Sequence, residues 1–554
     1  MASAQSSPTK PSADRKVTYN DRKVANTAIS IARILPMTFA IPCARQFLLS
    51  FSPLLLLTVT AGTFLLAAPA SPQAAPSKIK AGFAERDITP EIGMEQPGGY
   101  GKAFHKTRHD PCKVRVSVFD DGKKRVAFVG VDALMIPRHL VLTSRAAIEK
   151  ACGIPAAHIM IGASHSHSSG PTGMVQPGEY DFADEFVKDL AYNQSSAADP
   201  AYLKTVEAAI IDAVVSADKD KVPAQLGFGS GHEDQVSFNR RLRMKNGQTW
   251  SHPGIGNPDI IDYAAPIDPE VGVVAAWDMN QQLLGVIVNY SCHCTTNPGG
   301  ISANWVQYLE QVLQGGLATK APVVFLQGAC GDITQVDNLS KTVQRGGEEM
   351  SRYVGGRIGA EAVKVVLSMA KGTDVSVDAR QKTWEVARRV PEAAKVKDAV
   401  AILKQEKEGT PTQKAFAKET VMLDASVKHS PKTEVEVQAL QVGPAVFVSN
   451  PAEFFVENGL RIKKESAFPF TYSVELANGC VGYVPTEKAF QADGGGYETR
   501  LTSYSNLEIT AGTQMTDVGI ELTKQLTPGT VPSFPAPAPF SKPWEYGNVG
   551  PELK

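Results

Sequence analysis

At 554 residues the chain is long enough for one large core or for several domains, and its 43% hydrophobic and 20% charged residues are ordinary for a soluble globular protein. A formal net charge of −1 gives no reason to expect nucleic acid or a strongly anionic surface as a general partner.

Residues 1–46 are polar and mixed and read as an N-terminal extension. The run Phe47 to Ala68 follows Arg45, carries no charge, and is succeeded by small residues at Ala68-Pro69-Ala70 and Gln73-Ala74-Ala75. A positive flank, an apolar centre and small residues at the end describe a secretory signal, so 47–78 reads as a signal peptide and its cleavage region, and the protein as exported, secreted or periplasmic. A start at Met37 would bring the leader to normal size. Retention of 47–68 as a membrane anchor is the alternative, because about 20 apolar residues can span a bilayer. Neither segment is counted in the fold.

From residue 79 the pattern is globular. Apolar stretches predict strands at Val114 to Phe119, Arg125 to Val131, His158 to Ile161, Val271 to Trp277, Leu284 to Tyr290 and Val323 to Leu326. Helical patterns lie between them, at Leu140 to Cys152, Tyr202 to Ala217, Trp305 to Leu313 and Gly347 to Met369. Residues 390–420, rich in Ala, Lys and Glu, read as an exposed helical insertion. Strands return at Val435 to Val448, broken near Gly443-Pro444, and at Phe470 to Leu476. The alternation predicts a mixed α/β (α+β) architecture: one large catalytic domain over 79–526, with mixed sheets flanked by helices. Residues 527–554, rich in Pro and Gly, read as a tail. Of seven cysteines, six lie beyond the leader, an even number that permits disulfides without dictating their pairing. Cys292-His293-Cys294 lacks the ligand gaps of structural zinc sites, so these two cysteines read as packing or disulfide residues.

Chemistry collects at strand ends. His165 and His167, two residues apart in Ser164-His165-Ser166-His167-Ser168-Ser169-Gly170-Pro171, point the same way from an extended segment, and imidazole serves as metal ligand and proton carrier alike. The alternative is a pair of hydrogen-bonded loop histidines. His293 closes a second strand, Val286 to Tyr290, in the same manner. A third strand runs into Gly328-Ala329-Cys330-Gly331-Asp332-Ile333-Thr334. Glu453, in Asn450-Pro451-Ala452-Glu453-Phe454, is either a helix N-terminal charge or a ligand. Tyr483 and Tyr497 lie in glycine-rich loops, where packing is the ordinary role of a tyrosine.

Together these blocks, in order from about Ala81 to Leu526, resemble the neutral/alkaline non-lysosomal ceramidase family. The histidine loop is similar to the family's first zinc loop with one extra Ser, and Ser237-Phe238-Asn239-Arg240-Arg241 matches its Asn-Arg signature. The resemblance implies that His165, His293, Glu453 and Tyr483 hold Zn²⁺, with Arg240, Tyr497, His167 and Thr334 in the catalytic machinery. It implies a zinc-dependent amidohydrolase that cleaves ceramide or a related N-acyl lipid by zinc-hydroxide attack, with a lipid-like amide as partner, peripheral contact with a membrane surface, and no nucleic acid. Arg240 and a tyrosine would stabilise the oxyanion, and His167 would carry a proton to the leaving amine. Two departures stand out. Thr334 occupies the place of the family's active-site serine, and the family's immunoglobulin-like C-terminal domain would need about 100 further residues. They leave room for a zinc hydrolase of the same fold acting on a different amide or ester, or for an exported binding protein with a vestigial metal site.

Overall fold

The computed structural model describes residues 79–554, which lie within one compact unit; the readings for residues 1–78 fall outside it. Its centre is an eight-stranded sheet of β1 (Lys80–Asp87), β2 (Lys113–Asp120), β3 (Arg125–Val131), β4 (Ile159–Ala163), β5 (Val222–His232), β6 (Glu270–Asp278), β7 (Leu283–Tyr290) and β8 (Val323–Gln327). The order across the sheet is β8-β7-β6-β5-β1-β2-β3-β4. A second sheet, β9 (Val377–Ala387), β10 (Lys432–Val442), β11 (Ala445–Ser449) and β12 (Phe470–Val474), runs in that order. Both are mixed: most neighbours are antiparallel, while β3/β4, β7/β8 and β11/β12 are parallel.

The two sheets pack face to face. Phe128, Met160, Ile287 and Val324 of the first meet Leu440, Phe447, Tyr472 and Val474 of the second in one buried cluster. Helices cover the outer faces: α1 (Arg138–Cys152) and α2 (Pro200–Lys219) on one half of the large sheet, α3 (Trp305–Gly316) and α4 (Gly347–Leu367) on the other. After α5 (Ala393–Leu403) and α6 (Pro411–His429) come α7 (Val456–Glu465) and α8 (Ala511–Lys524), and α8 lies on the small sheet. The result is a mixed α/β layering of helix, sheet, sheet, helix, because sheets with apolar residues on both faces must be covered on both. Asp199 caps α2 by accepting from the backbone of Ala201 and Tyr202, with Pro200 in the first turn, where a missing N–H costs nothing.

The structure adds two strands to the sequence reading, revises the insertion, and bears out the break near Gly443. The strands Lys80–Asp87 and Val222–His232 have no strong apolar run, yet they occupy the middle of the large sheet, where backbone pairing with β2 and β6 decides. The insertion at 390–420 is a helical hairpin that extends to His429. It is not simply exposed: Val421 and Met422 pack with Tyr180, Val187 and Leu190. The break near Gly443 is a tight turn between β10 and β11, with Gly443 at φ 54°. All six cysteines beyond the leader are unpaired, and Cys292 and Cys294 pack in the core beneath α3 and α4. Among the described residues, no helix is long and apolar enough to cross a membrane.

Candidate metal and active site

The parallel strand pairs bring their C-terminal ends to one place, and the loops that leave them carry the histidines and the carboxylate. His165 follows β4 at φ 63°, a left-handed conformation uncommon for a residue with a side chain. Its Nδ1–H donates to the Leu134 carbonyl at 2.9 Å, which leaves Nε2 as a bare lone pair. His293, after β7, is held in the same way: Nδ1–H donates to the Cys330 carbonyl at 2.7 Å. Glu453 lies in a two-residue strand, Glu453–Phe454, whose parallel partner pairs Glu453 directly with Tyr483. One Glu453 oxygen, Oε2, sits 3.3 Å from Nε2 of His165 and 3.3 Å from Nε2 of His293.

With both rings neutral these three atoms are all acceptors; His293 Nε2 accepts from Arg240 Nη1 at 3.1 Å, and Glu453 Oε2 receives no hydrogen bond although it is buried. A proton on His165 would satisfy only one of the two contacts. The pKa of His293 is pushed down to about 3 by burial and by the Arg240 charge, so its ring stays neutral. Burial would raise the carboxyl of Glu453, but His165 foremost, whose own proton affinity Glu453 raises against burial, and then His293 outweigh it and hold the group well below the carboxylate range; a cation takes the place of that proton. Converging lone pairs of this kind are stable around a cation. Nitrogen and oxygen ligands about 2.0–2.2 Å from a zinc ion stand about 3.3 Å from each other at a tetrahedral angle, the separation found here.

His167 Nε2 lies 3.2 Å from His165 Nε2, and His165, His167 and His293 together form a grouping that can hold a metal ion, with ligand atoms within 4.8 Å of one another. His167, read from sequence as a proton carrier, therefore stands among the candidate ligands as well. Arg240 reaches the same centre. Its Nη1 lies 3.1 Å from His293 Nε2, its Nε donates to Glu498 at 2.8 Å, and its Nη2 donates to the Gly331 carbonyl at 2.6 Å. The guanidinium lies over the rings of Tyr483 and Tyr497, whose hydroxyls are 3.5 Å apart. Thr334 is buried nearby on the two-residue strand paired with Phe238–Asn239, but its hydroxyl is turned to the Gln335 side chain at 3.2 Å. The structure thus brings His165, His167, His293, Glu453, Arg240, Tyr483 and Tyr497 together, and sets Thr334 beside them with its hydroxyl engaged.

Other residues support this group without a strong signal of their own. Gln96 donates to the His167 carbonyl at 2.9 Å. Glu475, whose carboxyl burial pushes up to about 8, accepts from the backbone of Cys330, the residue that anchors His293, and of Phe454, the neighbour of Glu453. Asp332, pushed up to about 6 by burial, accepts from Asn239 and from the first residue of α7. Backbone partners such as Leu134 O leave no trace in side-chain patterns.

Gly482 shows how tightly the tyrosine is seated. It has φ +81°, and a Cβ there would stand 2.0 Å from the Tyr504 carbonyl oxygen. Gly482→Ala is expected to lower stability by about 1–3 kcal/mol and to displace Tyr483; a thermal melt with a metal titration checks both.

No family model matches the chain. It aligns with the neutral ceramidase of Pseudomonas aeruginosa at 27% identity over 225 residues, 39% of this chain and 30% of that protein. Over that stretch the chain is similar to neutral ceramidase. The solved neutral ceramidase of Pseudomonas aeruginosa superposes with a TM-score of 0.60 at 19% identity, covering 84% of this chain and 77% of that one. A ceramidase complexed with C2 gives the same score and identity, over 84% and 78%. These structures show that the neutral ceramidase fold is the fold of this chain. The sequence alignment spans less than a third of the curated relative.

Proposed function

We propose that the chain is an exported zinc-dependent hydrolase that cleaves the amide bond of ceramide or a related N-acyl lipid. The observation that carries this reading is the meeting of His165 Nε2, His293 Nε2 and Glu453 Oε2 about one point, in a fold shared with neutral ceramidase. His165, His293, Glu453 and Tyr483 would hold the ion. When bound there, zinc supplies Lewis acidity and a nucleophile at neutral pH. Arg240, locked by Glu498 and Gly331, directs its remaining N–H groups toward the centre and stabilises charge developing on the amide oxygen. Tyr497, against the same guanidinium, offers a second donor. His167, whose proton affinity is held down first by burial and then by the neighbouring imidazoles, moves a proton to the departing amine if it is not itself a ligand.

The test is metal content together with turnover. About one zinc per chain is expected, and its removal by a chelator should lower stability by about 4 kcal/mol where free zinc stood some thousandfold above its dissociation constant. Turnover of a short-chain ceramide, set against simple N-acyl amides and esters, identifies the substrate class. A chain that binds no metal and cleaves none of them would sink the proposal. Thr334 bears on the choice of substrate. Because its hydroxyl is engaged by Gln335, it has no role as nucleophile in this scheme, and Thr334→Ser should change turnover by less than about threefold, under ~1 kcal/mol of barrier. A tenfold rise on ceramide would instead mark Thr334 as the residue that limits it.

A further inference from the structure

The loop that carries Thr334 runs through the middle of the site. The Asp332 carbonyl accepts from Arg240 N at 2.9 Å, and the Ile333 carbonyl from His293 N at 3.2 Å, so this loop lies between Arg240 and the loop of a candidate ligand. Gln335 comes next and is 8% exposed. Its side chain folds back on its surroundings: Oε1 accepts from the Thr334 hydroxyl at 3.2 Å and from the Thr295 hydroxyl at 3.0 Å. Thr295 stands two residues after His293, and the Cys294 carbonyl between them accepts from His167 N at 3.1 Å. The Gln335 amide is thus held on the His167 side of the site.

Two hydroxyls on the oxygen fix which way the amide faces. Nε2 has no hydrogen-bond partner among the described residues and is not sealed from solvent. A role confined to tying the threonines together would use the oxygen alone. It would leave two N–H groups idle on a side chain that is nearly buried, where a donor without a partner is costly once substrate displaces water.

We propose that Gln335 is a specificity-determining residue that reads a hydroxyl on the amine part of the substrate, close to the scissile amide. The inference rests on the function proposed above and narrows it to N-acyl amino alcohols. Each threonine spends its one hydroxyl proton on Oε1 and keeps its lone pairs, so N–H donors stand beside hydroxyl acceptors. A substrate hydroxyl matches both: it accepts from Nε2 and donates to a threonine oxygen. A carboxylate only accepts, and would meet the threonine lone pairs. An alkyl group would leave Nε2 unpaired, which is how a site built to bind a hydroxyl rejects the analogue that lacks it. The amine part is assigned because the Thr295 loop holds His167, the proton carrier to the departing amine in the scheme above.

The test uses the zinc-loaded full chain and three amides with one short acyl chain in common, formed on ethanolamine, ethylamine and glycine. Parent, Gln335→Met and Gln335→Glu are compared, each checked first for melting temperature and zinc content. In the parent, kcat/KM for the ethanolamide should exceed that for the other two by about tenfold or more. In both variants the ratio of ethanolamide to ethylamide should fall below about threefold. Gln335→Glu keeps an oxygen for both threonines, so it carries the comparison if Gln335→Met folds poorly. A parent that does not discriminate would overturn the assignment. So would variants that lose both amides equally and keep the parent ratio, which is the mark of a purely structural tie. Preference for the glycine conjugate would make Nε2 a carboxylate reader and remove the hydroxyl. Cleavage of all three amides at equal rates removes this inference alone and leaves the functional reading standing, whereas a parent that cleaves none of them removes both.

Discussion

His165→Ala is expected to remove metal and activity together, with kcat/KM falling by about 10⁴ or more. The imidazole Nε2 is one of the two nitrogens facing Glu453 Oε2, and no other donor atom follows it into that space. What remains is His293 with Glu453, and His167, whose nearest neighbour in the cluster was His165 itself. The fold should survive. Without a cation the Glu453 carboxylate raises the proton affinity of His165 against the cost of burial, and His293 Nε2 accepts from Arg240, so deleting the His165 ring removes a favourable partner of the buried carboxylate. The variant should therefore melt at or below the temperature of the parent in chelator, and below that of the parent loaded with zinc. Calorimetry with and without chelator, beside metal analysis, checks this. Glu453→Gln separates charge from shape. It keeps an acceptor oxygen at the centre but removes the negative charge, so metal affinity should fall while the Glu453–Tyr483 backbone pairing persists. Full activity in His165→Ala would remove the ligand assignment altogether.

The parts of the fold that could be read in the sequence were those where one chemical signal dominates. Val286 to Tyr290 and Val323 to Leu326 are buried on both faces, so their unbroken apolar character marks them as strands. Lys80–Asp87 is only partly buried and alternates weakly, and its place beside β2 is set by pairing across 26 or more residues. The site divides in the same way. Histidines at strand ends are visible because a rare residue stands where a backbone turns. Glu453 and Tyr483 are visible only through resemblance, since nothing local indicates that two short strands 30 residues apart will pair at those positions. The anchors of the two imidazoles, Leu134 O and Cys330 O, are backbone atoms that any residue carries. Thus the candidate ligands could be named from sequence, whereas what orients them could not.

That orientation depends on a buried charge cluster, and Arg115→Met should show by how much. Arg115, in β2, is almost fully buried; its guanidinium donates to Asp132 at 2.7 Å and to Glu310 at 2.6 Å. Asp132 follows β3 and begins the turn whose Ala133 and Leu134 carbonyls accept from Ser166 N and from the His165 ring. Glu310 belongs to α3, whose first residue, Trp305, donates its indole N–H to the His293 carbonyl. One cation thus joins the supports of both histidine loops. Burial pushes both acids up; the guanidinium reverses this for Glu310, holding it below the ordinary carboxylate range, while Asp132 stays above it. Removing Arg115 leaves two buried carboxylates with only Lys113 near Glu310, and the expected loss is about 3–5 kcal/mol. The pH dependence follows from the direction in which each carboxyl moves. In the variant both carboxyls have folded pKa values above their unfolded ones, so the fold binds the extra protons. Stability is then greatest below about pH 4 and is lost as pH rises through the folded values, each tenfold gain in proton affinity on folding being worth about 1.4 kcal/mol. The gap between parent and variant should therefore widen from pH 4 to pH 7 in denaturant melts. If the loss comes from stranded charge and not from packing, Asp132→Asn with Glu310→Gln added to Arg115→Met should recover most of the stability at pH 7 and flatten the profile. Metal affinity should recover less, because the neutral amides no longer pull the two loops toward a common cation.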